Sequence, residues 1–251
     1  MRIARVAVVS VAAFMLIGGP STAAAQTSAA RSGSPWFVDF GFGIAPSING
    51  NISSGAIGTL QGQTTAVLPQ SYGAVYGTGL DIRFGGGYML NEDSEVRGTF
   101  TYQTADADLV RLGDFGASSL YSQYSDYKSL ALDFGYRRYL PVSDTVRGFG
   151  EATIGIGFIS RINAQFAAPQ SNTIFTNTDF YDTTEAFTFG LNIGALFRLS
   201  DQVDASAQIG LRRVGPLAEV DDLVGTGLAE INDNSSRVTF PIVVGVRFRF
   251  K

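Results

Sequence analysis

The sequence predicts an all-β protein, an eight-stranded antiparallel up-and-down transmembrane β-barrel with long outer loops and short periplasmic turns. Three observations predict it. Large apolar side chains alternate with small or polar ones in eight segments, the connections between these segments alternate between short and long, and the chain is rich in Gly, Phe and Tyr, with 30, 19 and 10 of each. Alternation at every second position is the period of a β-strand.

The first four segments cover residues 36–45, 76–90, 95–103 and 129–137. Each has one face of large apolar side chains and one of charged, small or hydroxyl side chains. In chain order, the apolar faces carry Trp36, Val38, Phe40, Phe42 and Ile44; Tyr76, Leu80, Ile82, Phe84, Tyr88 and Leu90; Val96, Phe100 and Tyr102; and Leu130, Leu132, Phe134 and Tyr136. About ten residues at roughly 3.3 Å each, tilted near 45°, cover an apolar band of about 25 Å.

The last four segments cover residues 147–158, 187–198, 203–212 and 240–250. The fifth segment is less regular than the others, because Phe149 falls on its polar face. The eighth reads FPIVVGVRFRF and has a wholly apolar face from Phe240 to Phe250. Pro241 lies inside it without an N–H to donate, and a closed barrel has no free edge to tolerate this, so we expect a local bulge there.

The connections give the strongest topological signal. The links 91–94, 141–144 and 200–202 are short and rich in turn residues, whereas the stretches 46–75, 104–128, 160–184 and 215–236 are long and polar. Short turns on one rim and long loops on the other are typical of outer-membrane barrels, in which the turns face the periplasm. A lipocalin-like secreted barrel has no reason to alternate in this way.

The polar face is predicted to line the lumen as a charge network. Lys128 and Lys251 are the two lysines, so sixteen of the eighteen basic residues are arginine, which can bridge carboxylates bidentately in a confined space. An eight-stranded interior is just wide enough for side chains to fill. The alternative is a soluble barrel with these charges on its solvated outer face. The predicted network comprises Asp39, Asp81, Arg83, Glu95, Arg97, Asp133, Arg137, Glu151, Arg198, Asp204, Arg212 and Arg247.

The N-terminal segment is predicted to be a secretory signal peptide, residues 1–25. Arg2 and Arg5 precede the apolar run Val6–Ile17, and Ala23–Ala25 offers a cleavage site. We expect a short tail at 26–34 and the barrel domain at 35–251. The chain has no cysteine, which excludes lipidation of a cysteine, disulfides and thiolate metal sites. The net charge of −4 gives no reason to expect nucleic-acid binding.

These features resemble the small outer-membrane barrels grouped around outer-membrane protein A, outer-membrane protein X and the opacity proteins. The resemblance covers 34–251 and implies export to the outer membrane of a Gram-negative cell, among lipid and lipopolysaccharide. It also implies uptake by the outer-membrane barrel assembly machinery, which would recognise a terminal strand with Phe248 and Phe250. Lys251 departs from the usual aromatic end. We expect no C-terminal peptidoglycan-binding domain of the kind that some members of this group carry.

No catalytic or metal site is predicted. The chain has no histidine and no cysteine, so an activated hydroxyl would lack its usual base and a thiol nucleophile is absent. The acids Glu219, Asp221, Asp222, Glu230 and Asp233 match no calcium-loop spacing, and no cofactor is expected.

Aromatic residues also cluster in the second long stretch. Tyr121, Tyr124 and Tyr127, near Tyr102, are interpreted as part of an interfacial aromatic girdle, with a surface patch that meets lipopolysaccharide or a partner as the alternative.

The sequence therefore indicates a non-enzymatic outer-membrane barrel that supports envelope integrity and surface interaction through four loops. A narrow porin-like channel for small solutes is the first alternative. A secreted barrel that binds an apolar ligand is the second.

Overall fold

The computed structural model describes residues 34–220 and 227–250. The predicted signal peptide, Asp221, Asp222 and Lys251 lie outside the described residues. Strands make up most of the described chain. The barrel strands are β1 (Trp36–Asn49), β6 (Thr78–Asn91), β7 (Ser94–Ala105), β10 (Tyr127–Pro141), β11 (Val146–Ile159), β14 (Thr184–Arg198), β15 (Val203–Val214) and β18 (Ile242–Arg249), with β17 (Arg237–Thr239) directly before β18.

The remaining elements lie in the long connections. The strands are β2 (Asn51–Ser53), β3 (Ala56–Leu60), β4 (Gln63–Val67), β5 (Gln70–Ser71), β8 (Val110–Phe115), β9 (Ser118–Tyr124), β12 (Ile162–Ala168), β13 (Thr173–Asp182) and β16 (Ala218–Glu219). One short helix, α1 (Tyr72–Tyr76), and a 3-10 turn (Pro169–Ser171) complete the described structure. Neither has the length or the apolar run of a membrane-spanning helix.

The eight long strands close into a barrel. Their order is β1, β6, β7, β10, β11, β14, β15 and β18, every neighbouring pair is antiparallel, and β18 returns to β1. The first and last strands pair without interruption from Phe37, opposite Arg249, to Ile44, opposite Ile242. The predicted eight-stranded, antiparallel, up-and-down barrel is therefore confirmed.

The two faces of the wall follow the predicted alternation. Phe134, Ile193 and Val244 are largely exposed on the outside, whereas Asp133, Asn192 and Val243 are buried inside. Phe149, the residue that breaks the pattern of its segment, is buried on the inner face. The exterior of the barrel is therefore an apolar belt, and its interior holds the polar side chains.

The three short turns are held by side chains that accept backbone hydrogen bonds. Asn91 Oδ1 accepts from the Asp93 N–H, Ser143 Oγ from the Val146 N–H and Ser200 Oγ from the Val203 N–H. Each side chain satisfies a donor that a tight turn would otherwise leave unpaired. This is why these short links, all rich in Asn, Asp and Ser, turn the chain so sharply.

Pro241 interrupts the last strand, as expected from its missing N–H. The ladder of β17 ends at Thr239 and that of β18 begins at Ile242. Across the gap, the Phe240 N–H donates to the Pro46 carbonyl, and the Pro241 carbonyl accepts from the Gly210 N–H. The strand thus remains in the wall on both sides of the proline.

The long connections differ from the polar loops that the sequence predicts. They form a second sheet in the order β16, β13, β12, β9, β8, β4 and β3, together with the pair β2 and β5, and we call this assembly the loop tier. It encloses a core in which Ile52, Leu112 and Phe180 are buried together with the barrel residues Ile159 and Val214. Each connection contributes only a few apolar residues, and they become a core only where the connections meet.

Close packing of the wall predicts that two glycines of β11 respond differently to a methyl group. A Cβ at Gly155 would lie 2.1 Å from the Leu132 carbonyl oxygen and 2.6 Å from Asp133 Oδ1, whereas a Cβ at Gly150 meets nothing within 4 Å. We expect Gly155→Ala to destabilise the barrel by about 1–3 kcal/mol, and Gly150→Ala to change its stability by less than about 0.5 kcal/mol. Urea unfolding followed by Trp36 fluorescence measures both, and equal midpoints would contradict the packing.

Candidate functional site

The candidate site is the lumen, where inward positions of seven of the eight barrel strands bring most of the predicted charges together. Every buried carboxylate of the described barrel has an arginine as its partner. The pairs are Asp39 with Arg97, Asp81 with Arg83, Glu95 with Arg247, Asp133 with Arg212, Glu151 with Arg137, and Asp204 with Arg249. Charge compensation of this kind is what a confined, poorly hydrated interior requires.

Glu95 is the centre of the part of the network nearer the short turns. Its carboxylate is fully buried and takes a bidentate contact from Arg247, at 2.7 Å from Nη1 to Oε2 and 2.8 Å from Nη2 to Oε1. The Tyr139 hydroxyl donates to Oε2 of the same carboxylate at 2.6 Å. Arg247 also lies over the ring of Phe37, 3.8 Å from its centroid. Side chains from β10 and β18 therefore meet at a carboxylate of β7, and Phe37 of β1 packs on the arginine.

Asp133 is the centre of the part of the network nearer the long connections. Arg212 contacts both of its oxygens, at 2.7 Å and 3.2 Å, and the Thr188 hydroxyl donates to Oδ1 at 2.5 Å. Asp81 lies nearby on β6, where it binds Arg83 at 2.7 Å and accepts from the Gln103 amide at 2.8 Å. Arg97 joins three further carboxylate contacts, because it lies within 4 Å of Glu95, Glu151 and Asp39.

Arg198 does not join this network, in contrast to the prediction. Its side chain is exposed at the turn rim and binds Asp201 at 2.6 Å. Arg198 is the last residue of β14 and lies beyond the packed part of the lumen. A period-two pattern gives the face of a residue but not its depth, which explains the error.

Several residues of the site were missing from the predicted set. Tyr139 lies on an inward face two residues after Arg137, so extending the fourth segment would have found it, whereas Arg249 already lies on the polar face of the eighth segment. Gln103 and Thr188 could not be assigned in this way, because neutral inward residues give no signal of which carboxylate they meet.

An apolar cluster lies at the turn end of the lumen, and we call it the aromatic floor. Tyr139, Phe149 and Leu196 are buried together there, with Met89 packed against them. Arg137 lies over the Phe149 ring at 3.8 Å and Arg147 over the Tyr139 ring at 4.3 Å. The apolar floor and the charge network are thus joined by stacked guanidinium groups.

Two small cavities lie in the described lumen, and Arg83, Arg97 and Gln208 line both of them. Each offers about 20 Å³ to the centres of water molecules. This is little more than one water needs, since about 10–15 Å³ holds one. The side chains between the cavities therefore fill most of the cross-section.

The lumen carboxylates of the described residues are taken up by ion pairs. The sequence contains no histidine, and the carboxylates of the lumen are occupied by arginine. No group of three or more acidic side chains is arranged to hold a metal ion in the part of the chain that the structure describes. The chemistry available is that of a packed network of ion pairs.

No protein-family model matches the chain, and no curated protein matches it. Among solved structures, the chain is similar to Neisserial surface protein A, with 13% identity, a TM-score of 0.49, and coverage of 86% of this chain and 98% of that one. It is also similar to the outer membrane protein OprG from Pseudomonas aeruginosa, with 13% identity, a TM-score of 0.43, and coverage of 87% and 96%.

A third similar structure is the outer membrane protease OmpT from Escherichia coli, with 9% identity, a TM-score of 0.43, and coverage of 86% and 96%. Structures similar to this chain thus include a named protease. Whether this chain is an enzyme has to be argued from its own residues.

Removing the Asp133 carboxylate is expected to destabilise the barrel strongly. Asp133→Ala leaves the buried Arg212 guanidinium without its partner, and breaking one side of a buried pair typically costs about 3–5 kcal/mol. The matched control is Asp201→Ala, which breaks the exposed pair with Arg198, an interaction of at most about 1 kcal/mol. Urea midpoints of the protein folded in liposomes check both variants. An unchanged midpoint for Asp133→Ala would mean that the pair is solvated.

Proposed function

We propose that the chain is a non-enzymatic integral barrel of the Gram-negative outer membrane, which supports envelope integrity and presents the loop tier to molecules at the cell surface. One observation carries the proposal: the closed barrel has an apolar exterior and a charge-filled interior. A soluble barrel would expose the charges and bury the apolar face. A closed barrel satisfies all backbone hydrogen bonds within its wall, as a strand protein in lipid must.

The packed lumen supports a mechanical role for the wall. Glu95 and Asp133 each join side chains from several strands, so separating these strands would uncover buried charge. Such an interior stabilises the barrel as a closed cylinder and leaves the outer surface to lipid and lipopolysaccharide.

The loop tier is the part suited to recognition, since binding residues concentrate on connections held by a rigid scaffold. Its surface carries exposed apolar side chains at Ile57, Leu109 and Ile174. It also carries an exposed ion-pair group in which Arg161 binds Asp179 and Asp182 at 3.1 Å and 3.0 Å. A surface of this kind suits a partner with both apolar and charged groups, such as lipopolysaccharide or a protein.

Phe248 and Phe250 fit the proposed assembly signal. Both side chains lie on the apolar exterior at the end of the last strand, about half exposed. In the unfolded precursor this strand would be available to the barrel assembly machinery, and in the folded barrel the same side chains would contact lipid.

A porin-like channel is the alternative, and the lumen does not favour it. The aromatic floor and the narrow cavities leave little continuous space for a hydrated solute. A secreted barrel for apolar ligands fits less well, because its interior would need apolar walls and room for the ligand, whereas this one is lined by ion pairs.

Planar-bilayer recordings test the non-conducting role. Purified protein is expected to insert without stable single-channel conductance, because ion pairs and the aromatic floor fill the lumen. Channel openings are expected only when the side chains of the aromatic floor are made smaller, for example in the double variant Phe149→Ala with Leu196→Ala. Steady conductance of the unmodified barrel would replace the interaction proposal with the channel proposal.

Surface recognition is tested by substitution rather than by deletion. Trimming 49–69 would remove Ile52 and Val67 from the loop-tier core, so a loss of binding would be ambiguous. The triple variant Ile57→Ser, Leu109→Ser and Ile174→Ser alters only exposed side chains. It is expected to reduce adhesion to lipopolysaccharide vesicles or host surfaces while heat-resistant gel mobility is kept. The control is Val142→Ser on the turn rim, and equal adhesion of all three proteins would contradict the proposal.

The lipid-facing assignment predicts a depth-dependent cost for arginine on the apolar exterior. Ile193 is 63% exposed on β14 and lies within the belt, whereas Val142 is 70% exposed beside a short turn. Ile193→Arg should cost about 2–4 kcal/mol in a bilayer and Val142→Arg about 0–1 kcal/mol. Urea titration of folding into liposomes measures the difference. Equal costs would mean that the belt does not lie in the membrane.

A further inference from the structure

Arg237 is a buried arginine without a carboxylate partner among the described residues. It lies on β17 at the level where the lumen meets the loop-tier core, and it is only 2% exposed. Its Nε donates to Ser47 Oγ at 3.0 Å, and its guanidinium lies over the Tyr127 ring, 4.0 Å from the centroid. Its Nη1 has no hydrogen-bond partner.

The lumen network cannot neutralise this charge, because its own charges are already balanced. Each of the six buried or largely buried carboxylates described above, from Asp39 to Asp204, has an arginine of its own. Arg237 is therefore one positive charge in excess in the described interior. An isolated buried cation costs several kcal/mol unless a counter-charge accompanies it.

The groups around Arg237 are hydroxyls that also lack partners. Tyr127 Oη, Tyr72 Oη and Thr239 Oγ1 are buried and make no hydrogen bond. Thr239 follows Arg237 on the same inward face of β17, and the rings of Tyr72, Tyr76 and Tyr127 contact one another in sequence. Burial raises the pKa of the Tyr72 hydroxyl well above its ordinary value, so this group stays protonated and can donate.

We infer that Arg237, Tyr72, Tyr127 and Thr239 form a buried site for one small monovalent anion of the halide class. A guanidinium edge and protonated hydroxyls are donors, which suits an anion. A single negative charge would balance the single excess guanidinium. The anion is small because the aromatic rings around it are packed against each other and nearly inaccessible from outside.

Binding of the anion at this site would have a structural consequence. Thr239 and Arg237 belong to the barrel wall, Tyr127 begins β10, and Tyr72 belongs to α1 in the first long connection. A bound halide would tie α1 to the top of the barrel, and it would stabilise the folded chain as any ligand of the native state does.

Thermal unfolding of the full chain in detergent micelles tests the inference. Sodium chloride, bromide, acetate, sulfate and gluconate are compared at constant ionic strength, with near-ultraviolet circular dichroism as the readout. The unfolding midpoint is expected to rise to a plateau with chloride and bromide but not with the other anions. Arg237→Gln should lose this response, whereas Arg111→Gln, which removes an exposed arginine, should keep it.

Two hydroxyl variants keep the test decisive if Arg237→Gln does not fold. Tyr127→Phe and Tyr72→Phe retain the rings and should each weaken the apparent bromide affinity by about tenfold, which corresponds to about 1.4 kcal/mol. Crystals soaked in bromide should show an anomalous peak within hydrogen-bond distance of Arg237 Nη1.

Three results would overturn the inference. One is an absence of any halide response in the unmodified protein, and another is an equal response in the Arg237 or tyrosine variants. The third is a water molecule in place of the anomalous peak. A response to sulfate or acetate instead of halide would overturn the assignment of the anion class.

Discussion

The width of an eight-stranded barrel determines how the side chains in its interior can be arranged. With eight strands, inward side chains from opposite walls reach each other, so each buried charge has to be compensated by another side chain rather than by bulk water. The Glu95 carboxylate shows how this is met: Arg247 contacts both oxygens, the Tyr139 hydroxyl contacts one of them, and Arg97 and Arg137 lie within 4 Å. The glycines of the wall, such as Gly155 beside Asp133, make room for these groups.

The fold was predictable because a strand in a barrel wall repeats the same two environments along its whole length. In the barrel strands between Trp36 and Phe250, apolar residues mark the exterior at every second position. This pattern can be recognised without knowing which strands pair. The turns were predictable for a related reason, since Asn91, Ser143 and Ser200 have to accept hydrogen bonds locally. Pro241 likewise marked the break in the last strand.

The sequence pattern does not predict contacts between residues that are far apart in the chain. Alternation placed Asp133 and Arg212 on inward faces but did not show that they bind each other across 79 positions. It placed Arg198 inward without showing that the position lies at the rim. The loop-tier core was missed for the same reason, because Ile52, Leu112 and Phe180 are isolated apolar residues in their own connections. Arg237 lies in a short strand that no segment covered.

The loop tier also determines what another molecule can recognise on this protein. Because its core is assembled from all the long connections and from the tops of barrel strands, the surface over that core is a mosaic of segments far apart in the chain. Epitopes there are discontinuous, and an antibody that binds them recognises the folded barrel rather than a linear peptide. Substitutions at Ile57 and Ile174, whose side chains point away from the shared core, would change this surface and leave the core intact.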